Sequence, residues 1–502
     1  MASSGRTDFR LVIPGISKLA GLVRQFLEQA LSASGYEGDE LVQLVDATCS
    51  VLNIVEGRLE ADDDVALPIE LTLGIDQRML AISIIEHGVP LGDRDHLLEG
   101  SGQTQLHETF DHVHWVQLGA GGSEIRLERL RTHTRISTLV DREEEAGSAA
   151  TRSVPAESSG GGSVDYHFRT FRSGDELEIA RQFYQSYGRT YPNPDLLYPE
   201  RILAMNEQGL LHSIVAETGD GTIAGHYGIE RPDLGVIGEA GLAVIDPAHR
   251  KHGLLTRMRS FLVDEARRLE LLGLWSQPTA QHAYSQKMNI QFGSTLNGLS
   301  LGTTPAEVEW RGASGDNDAS RHSCFLYWYP LNDEEPIRCS VPDSLVEVLG
   351  PLYEARGRGH RFDGSIKQPV ESDETGTGNL HGAFNRTRRS GHVRVDRIDA
   401  LTLPLVRQLV TNLVAFSRAE VVYLDLPITD ESCAWLTEAL HAEGFILCGI
   451  GPRFLSGEDA LRLQRLLVDV DPDSLVVEGD LASGLADHVF AEMRAIPDSR
   501  VP

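Results

Sequence analysis

Residues 146–163 are small, polar and Gly-rich, beginning Ala-Gly-Ser-Ala-Ala and ending Ser-Ser-Gly-Gly-Gly-Ser. Such a stretch buries too little apolar surface to offset the entropy of ordering it, so it predicts a flexible linker spanning 141–163. A chain of 502 residues divided there cannot share one hydrophobic core. At ~150 residues per domain, about three are expected. A second polar run at 311–320 marks another division, and a third at 368–379 reads as a long loop. The expected units are therefore 8–140, 164–310 and 321–502.

Hydrophobic residues make up 41% and charged residues 24%, the balance of an ordinary globular chain. There is no apolar run of ~18 residues, so no membrane-spanning helix is expected. The opening Met-Ala-Ser-Ser-Gly-Arg-Thr-Asp lacks the apolar core of a secretory signal, which makes a cytoplasmic location the expectation. The net charge of -29 argues against binding nucleic acid or an anionic membrane, since both need clustered Lys and Arg. Cys49, Cys324, Cys339, Cys433 and Cys448 are scattered without a CxxC pair, so reduced thiols and no metal site are expected. Arginine far outnumbers lysine, a usage that suggests a GC-rich bacterial genome.

In the first unit, strands are predicted near 9–13, 69–74, 79–86 and 124–129, with helices near 16–33 and 39–56. The middle unit opens with a strand at 166–172 and continues to strands at 213–217 and 222–229. The last unit reads strand, helix, strand, helix, strand over 392–449.

The most informative segment is Glu239-Ala-Gly-Leu-Ala-Val-Ile-Asp-Pro-Ala-His-Arg-Lys-His-Gly-Leu-Leu-Thr256. An apolar strand ends at Asp246-Pro247, a basic turn carries Gly253, and an amphipathic helix follows. Strand, turn and helix in that order suit a phosphate: free N–H groups and the macrodipole favour an anion at the helix N-terminus. Gly253 permits close backbone approach, while Arg250, Lys251 and His252 add positive charge. The structural alternative is an ordinary βα connection.

This segment resembles the GNAT superfamily of N-acetyltransferases, whose signature Arg/Gln-x-x-Gly-x-Gly/Ala stands here as Arg250-Lys-His-Gly253-Leu-Leu255. Leu255 departs from the small residue at the last place. The resemblance implies acetyl-CoA as cofactor, its pyrophosphate on the N–H groups of Lys251, His252, Gly253, Leu254, Leu255 and Thr256. It also implies pairing of the pantetheine arm with the strand at Ala243 and Val244. Glu239 stands where several members carry a general base, and a carboxylate of raised pKa suits that task; its structural alternative is a strand-edge glutamate facing solvent. The family's next helix begins near Asn and places Tyr four residues before Gly-Phe. Here His282 stands at the first place, Asn289 at the second, and Gly293-Ser294 at the pair. Tyr284 is carried as the candidate acid for the departing thiolate, with Ser285 as an alternative and helix capping or core packing as the structural reading of both.

The first unit resembles the histidine-kinase-like ATPase domain of anti-sigma-factor serine kinases. On that resemblance Asp46-Ala-Thr-Cys-Ser50 fits the magnesium-binding helix with Ser50 in place of Asn, or Asn53 one turn later, and Glu86-His-Gly88-Val-Pro90 replaces the adenine-binding Asp-x-Gly-x-Pro. The motifs are worn, so a degenerate domain that senses ATP or serves as scaffold is implied. Gly119-Ala-Gly-Gly122 reads as a hairpin turn. In the last unit, Val421-Val-Tyr-Leu-Asp-Leu-Pro427 and Gly444-Phe445 resemble the closing half of a second GNAT domain. Arg397-Ile-Asp-Ala-Leu-Thr-Leu-Pro404 lacks the phosphate-turn glycine, which makes that copy degenerate. The run Arg356-Gly-Arg-Gly-His360 reads as a solvated loop or an anion contact.

The expected fold class is α/β (α+β): an ATPase-like sandwich followed by two GNAT-like mixed-sheet domains. Three functions stay open. One is an acyl-CoA-dependent N-acyltransferase acting on a small-molecule or protein amine, with the first unit regulating it or docking a protein partner. Another is a non-catalytic regulator in an anti-sigma-type pathway that senses acyl-CoA or nucleotide, and the last is a structural scaffold. The sequence leaves a homodimer open.

Overall fold

The computed structural model describes residues 7–14, 20–59, 68–75, 79–86, 109–110, 112–117, 123–130, 165–188, 191–232, 234–305, 321–369, 380–415 and 417–496. The expected linker, the 311–320 stretch, Gly88, the 119–122 turn and residues 370–379 lie outside them.

The first unit contributes β1 (Thr7–Pro14), α1 (Ala20–Ala33), α2 (Gly38–Leu59), β2 (Pro68–Ile75), β3 (Met79–Glu86), β4 (His112–Gln117) and β5 (Ser123–Leu130). Strand β3 shows why it pairs as it does: Leu80, Ile82 and Ile84 alternate onto one buried face. Leu27, Leu31, Leu44 and Val45 of the two helices belong to the same core.

The middle unit contributes β6 (Tyr166–Thr170), α3 (Glu176–Tyr187), α4 (Pro199–Gln208), β7 (Leu211–Thr218), β8 (Ile223–Glu230), β9 (Ile237–Ile245) and α5 (Leu254–Arg268). It continues through β10 (Gly273–Ser276), α6 (Ala283–Gln291), β11 (Thr295–Thr304) and β12 (His322–Pro330). Its sheet carries helices on both faces, and the apolar side chains divide accordingly. Ile179, Phe183, Ile202, Val215 and Val244 form one core layer. Met258, Leu262 and Ala266 of α5 join Ile214, Ala216 and Ala240 in the other. Strand β12 follows the polar stretch used above to divide the chain, yet it lies between β10 and β11.

The last unit contributes β13 (Ile337–Ser340), α7 (Asp343–Arg356), β14 (His360–Asp363), β15 (Leu380–Asn385), β16 (Ser390–Val395) and α8 (Thr402–Ala415). After these come β17 (Val421–Pro427), α9 (Cys433–His441), β18 (Ile446–Leu455), β19 (Glu458–Leu466) and α10 (Asp480–Ala495). Strands β13 and β14 form a separate parallel pair.

The other seventeen strands join one mixed sheet. Its order is β1-β2-β3-β5-β4-β15-β16-β17-β19-β18-β11-β12-β10-β9-β8-β7-β6. The mixed sheet with its helices agrees with the expected α/β class. The closing strands of the middle and last units follow the same rule, the final strand inserting before the penultimate one.

Two seams hold the units together. Strand β4 pairs with β15 from Gln117–Leu380 to His112–Asn385, so the first unit extends the edge of the last. Strands β11 and β18 meet at Gly298 and Gly449 alone. There the backbones touch: a Cβ on Gly449 would lie 2.2 Å from the Asn297 carbonyl oxygen. Gly449 also holds φ of 145°, which disfavours any side chain. Around this crossing, Gln464 accepts from Leu301 N–H at 2.8 Å and donates to the carbonyls of Leu299 and Leu447. Tyr423 donates to the Leu301 carbonyl at 2.8 Å. Substituting Gly449→Val combines overpacking with backbone strain and is expected to cost roughly 3 kcal/mol or more. Chemical denaturation should show it, with new proteolytic sensitivity near the crossing.

Candidate functional site

The site begins with a strand that changes partner. Strand β9 pairs in parallel with β10 only over Ile237, Gly238 and Glu239, while its pairing with β8 runs on to Ile245. Beyond Glu239 the edge of β9 that faced β10 has no strand beside it among the described residues. A bulge lies in this stretch: Leu242 and Ala243 together oppose Tyr227, and Leu242 takes φ of 56°.

His226 pins the bulge. Its Nδ1 lies 2.8 Å from the Leu242 carbonyl and its Nε2 2.9 Å from the Ser213 hydroxyl. Only a protonated Nδ1 donates to a carbonyl, so Nε2 accepts from Ser213. Burial lowers the His226 pKa to about 4, which keeps the ring neutral. Asn206 in turn holds Ser213, accepting from its N–H at 2.9 Å.

From the end of β9 the chain enters the basic turn. Asp246 accepts from Ala248 N–H and starts a 3-10 turn, Pro247–His249. Lys251 and Gly253 follow in the left-handed region, with φ of 68° and 65°. Arg250, Lys251, His252, Gly253 and Thr256 are exposed, and nothing lies within 4 Å of a Cβ built on Gly253. The first helical bond of α5 runs from Arg257 N–H to the Gly253 carbonyl. The N–H groups of Lys251 through Thr256 therefore meet no protein acceptor among the described residues. This is an open anion cradle. Tyr166 fixes its base through a 3.0 Å hydrogen bond to His249 Nδ1.

At the other end of the bulge stand two carboxylates. Glu230 and Glu239 face each other across β8 and β9. Burial raises both, and the charge of Glu239 adds to the rise at Glu230, which reaches about 8. The Arg388 and Arg462 guanidiniums oppose the rise at Glu239. Near neutral pH Glu230 therefore retains its proton. Asn193 donates to Glu230 at 2.9 Å. Tyr191 completes this wall, and Tyr187 stands 4.6 Å from it, ring centre to ring centre.

The opposite wall comes from the last unit. Phe454 meets Trp275 edge to face at 5.3 Å, and the Arg462 guanidinium lies 4.5 Å over Phe454. Arg388, from the β15–β16 turn, donates to Gln277 at 3.1 Å. Gln277, Ser300, Thr303, Arg388, His392 and Tyr423 help line a narrow cleft beside it, with room for about 10 Å³.

The structure thus brings Glu239, Ala243, Val244 and the 250–256 turn onto one strand–turn–helix edge. It does not bring Tyr284 in: that side chain is 63% exposed on α6. Ser285 has a buried hydroxyl without a hydrogen-bond partner. Asn289 accepts from Ser276 at 2.8 Å, beside the end of β10. Arg388, Glu230 and His226 were missed in the sequence. Glu230 had a usable signal in the two-residue alternation of its strand, whereas Arg388 had none, since its role depends on a contact between distant segments.

The corresponding turn of the last unit is closed. Asp399 accepts from Leu401 N–H at 2.9 Å and from the Thr402 hydroxyl, and Asp430 accepts from Ile398 N–H. Carboxylates stand where an anion would have to sit. Arg356 and Arg358, read above as a solvated loop or anion contact, are instead buried against Asp459 at 2.9 and 2.8 Å. In the first unit, Asp46 is ion-paired with Arg24, Asn53 is exposed, and Glu86 is buried at the end of β3. No group of metal-binding side chains occurs among the described residues, and none of their helices is long and apolar enough to cross a membrane. None of the five cysteines is joined in a disulfide.

No protein-family model and no curated protein matches the chain. Among solved structures it is similar to an N-acetyltransferase from Staphylococcus aureus Mu50, with 15% identity, 34% of this chain and 99% of that chain covered, and a TM-score of 0.28. It is also similar to a Salmonella typhimurium protein described as an acetyltransferase with its cofactor acetyl-CoA, with 20% identity, 34% and 96% coverage, and a TM-score of 0.28. The spermidine/spermine N-acetyltransferase from Vibrio cholerae is a further match, with 14% identity, 33% and 92% coverage, and a TM-score of 0.27.

The neutral His226 predicts an acid dependence. Its pKa is about 4 folded against 6.5 in the open chain, so the unfolded state binds more protons between those values. Its stabilising contribution is complete above pH 6.5 and lost as pH falls towards 4, on the order of 3 kcal/mol. The melting temperature should therefore drop over this window, and the drop should shrink in His226→Gln.

Proposed function

We propose that the middle unit is a GNAT-type N-acyltransferase that transfers acetyl from acetyl-CoA to an amine. The observation that carries this reading is the unbroken run of unsatisfied N–H groups from Lys251 to Thr256. It stands at the end of a strand that has parted from its neighbour, with a half-buried carboxylate pair at the parting point. Acetyl-CoA, when bound, supplies an acyl carbon activated as a thioester. The N–H groups of 251–256 hold its diphosphate, with Arg250, Lys251 and His252 alongside. The unpaired edge of β9 at Ala243 and Val244 receives the pantetheine arm, and His226 keeps that edge in its bulged form. Glu239 takes the proton from the acceptor's ammonium group, while Glu230 stays protonated beside it.

In this reading the unit runs from 164 to Pro330, because β12 completes its sheet. The last unit is a degenerate second copy: Asp399 fills its turn, and its side chains wall the acceptor side of the first copy. The first unit serves as a docking or regulatory module, a role supported by its pairing through β4 onto the edge of that copy. The closed Asp46–Arg24 pair favours scaffold over ATP site.

A second reading is a sensor that binds acyl-CoA without turning it over. It is favoured by the exposure of Tyr284, which leaves no phenol at the thiolate position. Calorimetric titration with acetyl-CoA, with thiol release measured over an amine panel, separates the two. Gly253→Glu places a carboxylate in the cradle and should abolish acetyl-CoA binding. Glu239→Gln should leave that affinity within about twofold and lower kcat by roughly 100-fold or more. Binding unaccompanied by turnover with any amine would establish the sensor.

A further inference from the structure

Arg388 sits at the tip of the β15–β16 turn, and its main chain is held from both sides. Its N–H donates to Asn385 at 2.9 Å, and its carbonyl accepts from Arg321 at 2.6 Å. Arg321 is itself ion-paired with Glu420, which also binds Arg389. So much anchoring fixes where the Arg388 side chain starts, and that side chain leaves its own unit for the recess of the middle unit.

Its guanidinium makes one hydrogen bond, to the neutral Gln277 amide oxygen. Among the described residues no carboxylate lies within ion-pairing distance of it. A guanidinium drawn partly out of water loses hydration that an anion restores well. Glu239 is the strongest charge acting on Arg388, and Arg388 is the strongest charge acting on Glu239. Glu239 accepts no hydrogen bond from the described residues, although both groups are only half-buried and open to the recess.

Glu239 pairs across β9 to Trp275, and Arg388 reaches Gln277 two residues further along that chain, so a carboxylate and a guanidinium stand close together without an ion pair. A molecule carrying a cation and an anion can partner both. Arginine's planar fork matches a carboxylate through two parallel N–H bonds. Glu239 matches the ammonium group that must lose a proton.

We propose that the acceptor amine bears a carboxylate of its own, as an amino acid does, and that Arg388 binds this carboxylate while Glu239 holds the amine. This rests on the acyltransferase reading and narrows its acceptor to zwitterionic amines, against the polyamines and basic side chains that an acidic chain would otherwise suggest. Arg388 is then a specificity residue that touches substrate, contributed by a unit without an open phosphate turn. That gives the degenerate copy a chemical task beyond support.

The test uses the full chain, acetyl-CoA and thiol release. Amino acids are compared with their primary amides, their decarboxylated amines and their phosphonate analogues. Amino acids should exceed their amides and decarboxylated amines by about 100-fold in kcat/KM. Arg388→Met should abolish that preference by raising KM for amino acids alone, and Arg388→Lys should restore part of it. Unchanged melting curves for both variants would separate recognition from folding. Equal turnover of acids and amides, or a preference for phosphonates, overturns the proposal. So does an Arg388→Met effect that is the same for every acceptor. A succinyl-CoA arm distinguishes the other source of a carboxylate: if Arg388 governs the choice of donor and not of acceptor, the proposal fails. Absence of thiol release with every amine, with acetyl-CoA still bound, would instead remove the acyltransferase reading on which it stands.

Discussion

The backbone contact between Gly298 and Gly449 is the constraint on which the rest of the molecule depends. Two sheets of similar strand order meet there with no side chain between them, at a spacing only glycine allows. Buried polar groups surround the contact, with Gln464 and Tyr423 satisfying the main-chain atoms that the crossing exposes. A side chain at either glycine would have to push the two strands apart.

Enclosure sets the electrostatics. Glu230 and Glu239 on an open strand edge would titrate like ordinary carboxylates. Enclosed by aromatic rings from two units, they lose hydration and their ionised forms are disfavoured, which leaves a proton on the pair near neutrality. Arg388 and Arg462 counter the effect at Glu239 and not equally at Glu230, so the two carboxylates differ in environment. The bulge held by His226 serves the same site differently, by turning β9 away from β10 and leaving main-chain groups unpaired at the place of parting.

Much of the middle unit was legible in the sequence because its signals are local. The apolar run before Asp246-Pro247, the glycine at 253 and the stripe of α5 each act within a turn or two of chain. The end of that unit was harder: β12 follows a polar stretch that resembles a boundary, and only its pairing between β10 and β11 shows where it belongs. The Arg356–His360 run misled for a related reason. Glycine and arginine in alternation read as exposed loop, yet Asp459, about a hundred residues on, takes both arginines into the core.

The sequence by itself determined which segments become strands and helices, and it marked the turn whose amides stay free. These follow from side-chain periodicity, the fixed φ of proline and the freedom of glycine, all properties of neighbouring residues. The tertiary structure alone decided that the last unit would send Arg388 to Gln277 of the middle unit, and that burial would raise both Glu230 and Glu239. Charge and burial at a point in space are sums over every segment that reaches it, and no stretch of chain carries that sum within itself.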